Sequence, residues 1–247
     1  MAHALQWLRS LIFIVLMYLG MLVMGLAYLP FAIASRRYAY KATHAYTRYV
    51  RWLATHLVGL RSEIRGEVPQ DEVVVAAKHQ SFFDILMIFS VLPKPKFIMK
   101  SELRWAPILG FYALRIGCVP VNRGKRAQAI SKMKAAVRAG QAEPGQLVIY
   151  PQGTRVAPGV KAPYKVGAGI LYDQLGQDCV PVAANVGLFW PKRGIYRKPG
   201  VAVVEFLPRI PAGLSVAEVT KRLEEVIETH SDRLMAEAGH GNGSREG

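Results

Sequence analysis

The chain is 247 residues long, and 32 lysines and arginines against 17 acids leave it a formal charge of +15. Apolar residues make up 51% of it and charged residues 20%, which excludes intrinsic disorder, since that needs low hydrophobicity together with high charge. The apolar surplus fits an ordinary soluble enzyme poorly and points to one globular domain with a membrane-associated piece.

The first element is apolar. No charged residue occurs between Ser10 and Ser35. A helix over Leu11–Tyr28 reaches ~27 Å, close to the ~30 Å hydrocarbon layer of a bilayer, and Pro30 is expected to kink or end it. Ala32-Ile33-Ala34 resembles a cleavage site, but the run exceeds the ~7–15 apolar residues of a cleavable signal, and Arg36-Arg37 would follow the cut directly. The segment reads as a retained anchor, either spanning the bilayer or entering one leaflet. Beyond it, Arg37, Lys41, His44, Arg48 and Arg51 fall on one helical face, with Tyr38, Ala42, Tyr46, Tyr49, Leu53, Leu57 and Leu60 around the remainder. Such a helix lies in the headgroup layer or packs its apolar face on its own domain. Residues 1–62 carry seven Lys/Arg and no acid. These cations follow the apolar run, so the bulk of the protein is expected at the cytoplasmic side.

From residue 61 the pattern alternates. Short apolar runs at Val73–Ala77, Phe97–Met99, Cys118–Val121, Leu147–Tyr150, Val180–Ala184 and Val201–Leu207 read as strands. Helical stretches read at Phe82–Val91, Glu102–Ile116 (interrupted by Pro107), Arg126–Ala139 and Val166–Leu175. The expected fold is α/β, with a mixed, mostly buried sheet flanked by helices and preceded by an N-terminal membrane-associated helix pair. Ser215 and Glu218 form a capping box that opens a last helix. The organisation expected is membrane-anchoring helices over 1–60, an α/β domain over 61–238 and a disordered tail over 239–247.

The chemistry concentrates at strand ends. His79 and Asp84 follow the first predicted strand in Lys-His-Gln-Ser-Phe-Phe-Asp. A carboxylate that holds one ring nitrogen protonated leaves the other free to take a proton from a hydroxyl. Ser81-Phe-Phe-Asp84 also reads as a capping box, a role compatible with catalysis. Lys100, Arg123 and the turn Gln152-Gly153-Thr154-Arg155 each follow another strand. Gly153 lets backbone approach a ligand, and arginine presents a fork suited to phosphate. In open α/β sheets ligands collect at the carboxyl ends of strands, so one base and three cations at that edge suit an anionic lipid bearing a hydroxyl.

His-x₄-Asp, then Gly…Arg123, then Pro-Gln-Gly-Thr-Arg155, then Val180-Pro-Val182 resemble in order the blocks of the glycerolipid acyltransferases, of the 1-acylglycerol-3-phosphate acyltransferase group. That resemblance implies transfer of an acyl group from acyl-CoA or acyl carrier protein to the sn-2 hydroxyl of a lysophospholipid, giving phosphatidic acid for phospholipid synthesis. On it, His79 is the general base and Asp84 orients it. Arg123, Arg155 and Lys100 hold the phosphate, while Gln152, Gly153 and Thr154 line the site. The third block usually carries Glu where Gln152 stands, which leaves other acceptors such as a lyso-aminolipid open. The second block has Asn122 where an acid is frequent.

The scattered histidines lack metal-ligand spacing, no Gly-rich nucleotide loop follows a strand, and Cys118 and Cys179 are too few for a disulfide framework. No metal and no organic cofactor are expected. A non-catalytic protein binding anionic lipid through its charge is the rival from another class. Lys94, Lys96, Lys192, Arg193, Arg197 and Lys198 are candidate contacts to membrane phospholipid headgroups. No nucleic-acid reader motif is present, so no nucleic-acid partner is expected.

Overall fold

The structure, a computed structural model, describes residues 2–121, 135 and 145–240. Two long helices lead, α1 (Ala2–Ala34) and α2 (Arg36–Val58), packed as a hairpin. Then come β1 (Leu60–Arg65), β2 (Val74–Ala77), α3 (Phe83–Val91), β3 (Lys96–Lys100), a 3₁₀ turn over Ser101–Trp105, α4 (Leu109–Arg115) and β4 (Val119–Val121). β5 (Leu147–Ile149), α5 (Gly167–Leu175), β6 (Cys179–Ala184), β7 (Gly200–Phe206) and α6 (Val216–Glu237) complete the described elements. Apart from Ala135, the helix expected over Arg126–Ala139 lies outside the described residues, as do residues 241–247 of the tail.

The seven strands form one mixed sheet in the order β1-β7-β6-β2-β5-β3-β4. All neighbours are parallel except β6 and β7. Strand side chains alternate between faces, and the two faces bury separate cores. Val75, Ala77, Val148, Tyr150, Val180 and Val182 pack with α1–α4. Val74, Ala76, Leu147, Ile149 and Cys179 pack with α5 and α6. Helices on both faces make the central strands continuously apolar.

Two expectations about the N-terminus are corrected. Pro30 does not end the helix, which runs on to Ala34. The terminal carbonyls of α1 are taken up instead: Arg115 donates to Ala32 and Ile33 at 2.9 and 3.1 Å, and the Ser35 amide donates to Phe31 at 2.9 Å. Leu60 is not on α2. Gly59, at φ 70°, caps that helix in the left-handed region, and Leu60 opens β1, paired with β7.

The apolar face of α2 packs on α1 and the domain, burying Ala39, Ala42, Val50, Leu53, Ala54 and Val58. Its basic face is partly engaged as well, since Arg51 donates to Ser62 Oγ and Ser90 Oγ at 2.8 and 2.7 Å. By contrast α1 is long and apolar enough to cross a membrane, and its outer side leaves Leu8, Ile12, Val15, Leu19, Val23 and Leu26 exposed. Its inner side touches the domain along its whole length. Gln6 donates to Val58 and Arg197 carbonyls, Phe13 meets Trp190 edge-on, Tyr49 donates to Leu16, and Tyr112 donates to Gly25. The apolar helix associates the protein with a membrane.

Candidate active site

Strand alternation decides which neighbours surround His79. Val75 and Ala77 face α1–α4, and His79 continues that series two residues on. On the adjacent strand Val148 and Tyr150 face the same way. The His79 and Tyr150 rings stack there with centroids 3.9 Å apart. α3 begins just beyond the turn and brings Asp84 to 2.9 Å from His79 Nδ1.

The carboxylate is held from several sides. Asp84 Oδ2 accepts from the Gln80 and Ser81 amides at 2.9 and 2.7 Å, and Tyr150 donates its hydroxyl to Oδ1 at 3.3 Å. Since a carboxylate only accepts, Nδ1 carries the proton and Nε2 is left to act as a base. Burial first, then the Asp84 charge, push the Tyr150 hydroxyl well above its usual range, so it remains a donor. The expected capping box is present in altered form: Ser81 Oγ accepts from Phe83 N at 3.1 Å, while Asp84 reaches back to the turn.

Among the described residues, Ser81 and the two cysteines do not compete with this dyad as nucleophiles. Ser81 is fully buried and bonded at its helix start. Burial pushes the Cys118 thiol up to about 11 and the Cys179 thiol up to about 12, which keeps both protonated and unreactive. Among the described residues no cluster of His, Cys, Asp and Glu could hold a metal ion.

The other sequence candidates scatter more than their shared sheet edge suggested. The Val156 amide donates to the His79 carbonyl at 2.8 Å, which ties Arg155 and Thr154 to the base. Gly153 makes the turn at φ 70°, where a side chain would be strained. Gln152 goes elsewhere. Buried to 3% exposure, its amide donates to the Ala162 carbonyl at 3.2 Å and to Glu228 Oε1 at 3.4 Å. There Glu228 also receives Lys78 Nζ at 2.6 Å and the Tyr164 hydroxyl at 2.8 Å. Lys78 is the outward alternate of His79, so this polar cluster lies on the α6 face. Lys100 alternates with Ile98 toward that same face and pairs with Glu102 at 3.1 Å in solvent. Arg123 and Asn122 lie outside the described residues.

Two of the supposed headgroup contacts are corrected. Lys96 and Arg197 are each only 6% exposed. Arg197 stacks over Trp190 at 4.4 Å and donates to the carbonyls of Gly194, Ile195 and Tyr196, closing its own loop.

Residues 59–185, from β1 to the end of β6, match the family model described as Acyltransferase. The chain belongs to this acyltransferase family. It is 25% identical over 227 residues to the 1-acyl-sn-glycerol-3-phosphate acyltransferase of Pseudomonas aeruginosa, covering 89% of this chain and 88% of that protein. It is 30% identical over 177 residues to the human 1-acyl-sn-glycerol-3-phosphate acyltransferase alpha, covering 69% and 62%. The acyltransferase also shares the fold of the crystallised 1-acyl-sn-glycerophosphate acyltransferase of Thermotoga maritima, with a TM-score of 0.80 and 20% identity over 96% of this chain and all of that one.

Proposed function

We propose that this acyltransferase moves a fatty acyl group from a thioester to the sn-2 hydroxyl of 1-acylglycerol-3-phosphate, giving phosphatidic acid. The observation that carries the reading is the His79–Asp84 pair at 2.9 Å in a membrane-associated member of the acyltransferase family. Acyl-CoA or acyl carrier protein is the donor. His79 Nε2 takes the proton of the attacking hydroxyl as its oxygen bonds to the thioester carbonyl. The tetrahedral intermediate then collapses, the C–S bond breaks, and the leaving thiolate takes the proton back from Nε2. Asp84 keeps Nδ1 protonated and stabilises the transient imidazolium. The buried cysteines and Ser81 support direct transfer without an acyl-enzyme, and the chemistry calls for no cofactor.

Arg155 and Thr154, with Arg123, hold the acceptor phosphate. Gln152 acts one step back, as part of the support under that turn. The outer face of α1 lies in the lipid. A helix fastened to the domain from Gln6 to Ile33 cannot stand upright across a bilayer away from it, so α1 lies along one leaflet, with the domain on the cytoplasmic side of the inner membrane. The exposed Trp105, on the 3₁₀ turn before α4, dips in beside it.

The test is acyl transfer by the detergent-purified protein to a panel of acceptors, followed by thiol release and product identification. The diacyl phosphate product from 1-acylglycerol-3-phosphate is the expected result. Transfer only to zwitterionic lysolipids, or to none, would overturn the acceptor assignment.

A further inference from the structure

Three cations surround the turn that follows β5, and only one of them was visible in the sequence motif. Arg155 belongs to the turn itself. Lys192, on the loop after β6, donates its ammonium to the Arg155 carbonyl at 3.2 Å, and Arg155 Nη1 donates in return to the Lys192 carbonyl at 3.3 Å. Lys165, just before α5, lies across Gly153: a Cβ built on that glycine would meet Lys165 Nζ at 3.0 Å and its Cδ at 3.3 Å. Its amide donates to the Pro151 carbonyl at 3.0 Å, which fixes the approach. Gly153 is favoured by its φ of 70°, and its bare Cα leaves room for the lysine.

Like charges gathered on one turn repel, and an anion among them relieves that repulsion. Among the described residues none of the three cations pairs with a carboxylate, and no acid occurs anywhere from 179 to 204. Among the described residues the Arg155 and Lys192 side chains bond only to each other's backbone. The cluster is also anchored at the base, since the next residue, Val156, is bonded to the His79 carbonyl.

We infer that Lys165 and Lys192 join Arg155 in a three-cation cradle for a phosphate monoester, and that this cradle selects the acceptor. The inference rests on the proposed reaction and names the residues that give it its headgroup. A phosphomonoester carries about −1.5 to −2 charges near neutral pH and presents three oxygens to three donors. The phosphodiester of lysophosphatidylethanolamine carries one charge and has two such oxygens, so it gains less from the same cations. Lys192 thereby has a role at the site rather than at the membrane surface.

The experiment compares Lys165→Met and Lys192→Met, which keep most of each apolar stem, with the full-length wild type. In each variant the KM for 1-acylglycerol-3-phosphate should rise roughly tenfold, the loss of one charge-assisted hydrogen bond. The KM for the thioester and the association with vesicles should stay unchanged. The preference for 1-acylglycerol-3-phosphate over lysophosphatidylethanolamine, as a ratio of kcat/KM, should fall by the same factor, which a merely structural role would not do. Unchanged KM and preference would overturn the cradle, as would weaker vesicle association as the sole effect. Binding of sn-glycerol 3-phosphate, followed by NMR, separates this inference from the proposed reaction. Weaker binding in both variants supports the cradle even if no acyl transfer is found, and equal binding in all three proteins refutes it.

Discussion

His79 is oriented by a carboxylate that is itself over-determined. Two backbone amides and one tyrosine hydroxyl converge on Asp84, so replacing it changes proton placement more than shape. Asp84→Asn should lower kcat by about 10⁴, because a donating amide favours the wrong imidazole tautomer. Single-turnover rates on the folded variant check this, and activity near wild type would mean that Asp84 only caps α3. Gln152 makes a different case, a motif residue whose amide nitrogen turns to Ala162 and Glu228. Glutamate at that position would confront Glu228 at the 3.4 Å now spanned by an amide. Gln152→Glu should therefore destabilise the fold by about 2–4 kcal/mol, read as a lower unfolding midpoint in denaturant. The double variant with Glu228→Gln should recover most of that, since a carboxylate would again face Lys78.

Among the elements, α1 depends on small residues for its seat. A Cβ on Gly25 would come within 2.4 Å of Ile108 Cγ2, and one on Gly20 within 2.3 Å of the Tyr49 ring. Ile108 cannot yield easily, for it holds a φ of 60° that costs a β-branched residue energy. Gly25→Leu should loosen α1 from α4 at a cost of about 1–3 kcal/mol. A lower thermal midpoint in detergent is the expected result, and an unchanged one would show that α1 is free to slide. The same scale explains what the sequence disclosed. β2, β5 and β6 were legible because burial on both faces makes each a continuous apolar run. β1 was not, because Leu-Arg-Ser-Glu-Ile-Arg is a half-polar edge strand that follows α2 with only Gly59 between. Pro30 misled because the helix ends beyond it, where Arg115, 83 residues from Ala32 in sequence, takes up the terminal carbonyls.

At the scale of the whole molecule, the +15 charge and the apolar face of α1 make different contributions to membrane attachment. Paired or buried cations such as Arg51, Lys78 and Arg197 serve the fold, so less of the charge is free for headgroups than its sum implies. Attachment to anionic vesicles should survive about 1 M salt, where the screening length shrinks to ~3 Å. Release under those conditions in a sedimentation assay would mean that charge alone holds the protein. The candidate site was legible where the motif is local, as at His79 and Asp84, five residues apart. It was hidden where the fold imports partners from a distance, as with Lys165, Lys192 and Glu228, because nothing in a cation's own sequence neighbourhood says which turn it will meet.

The central claim is that His79 Nε2 takes the proton from an acceptor hydroxyl attacking a thioester. Acceptor-dependent thiol release by His79→Ala, with folding and vesicle binding verified on the same sample, tests it most directly. The account predicts a loss of ~10²–10⁴ in rate or more, with attachment intact. A variant that still transfers acyl groups at close to the wild-type rate would contradict it.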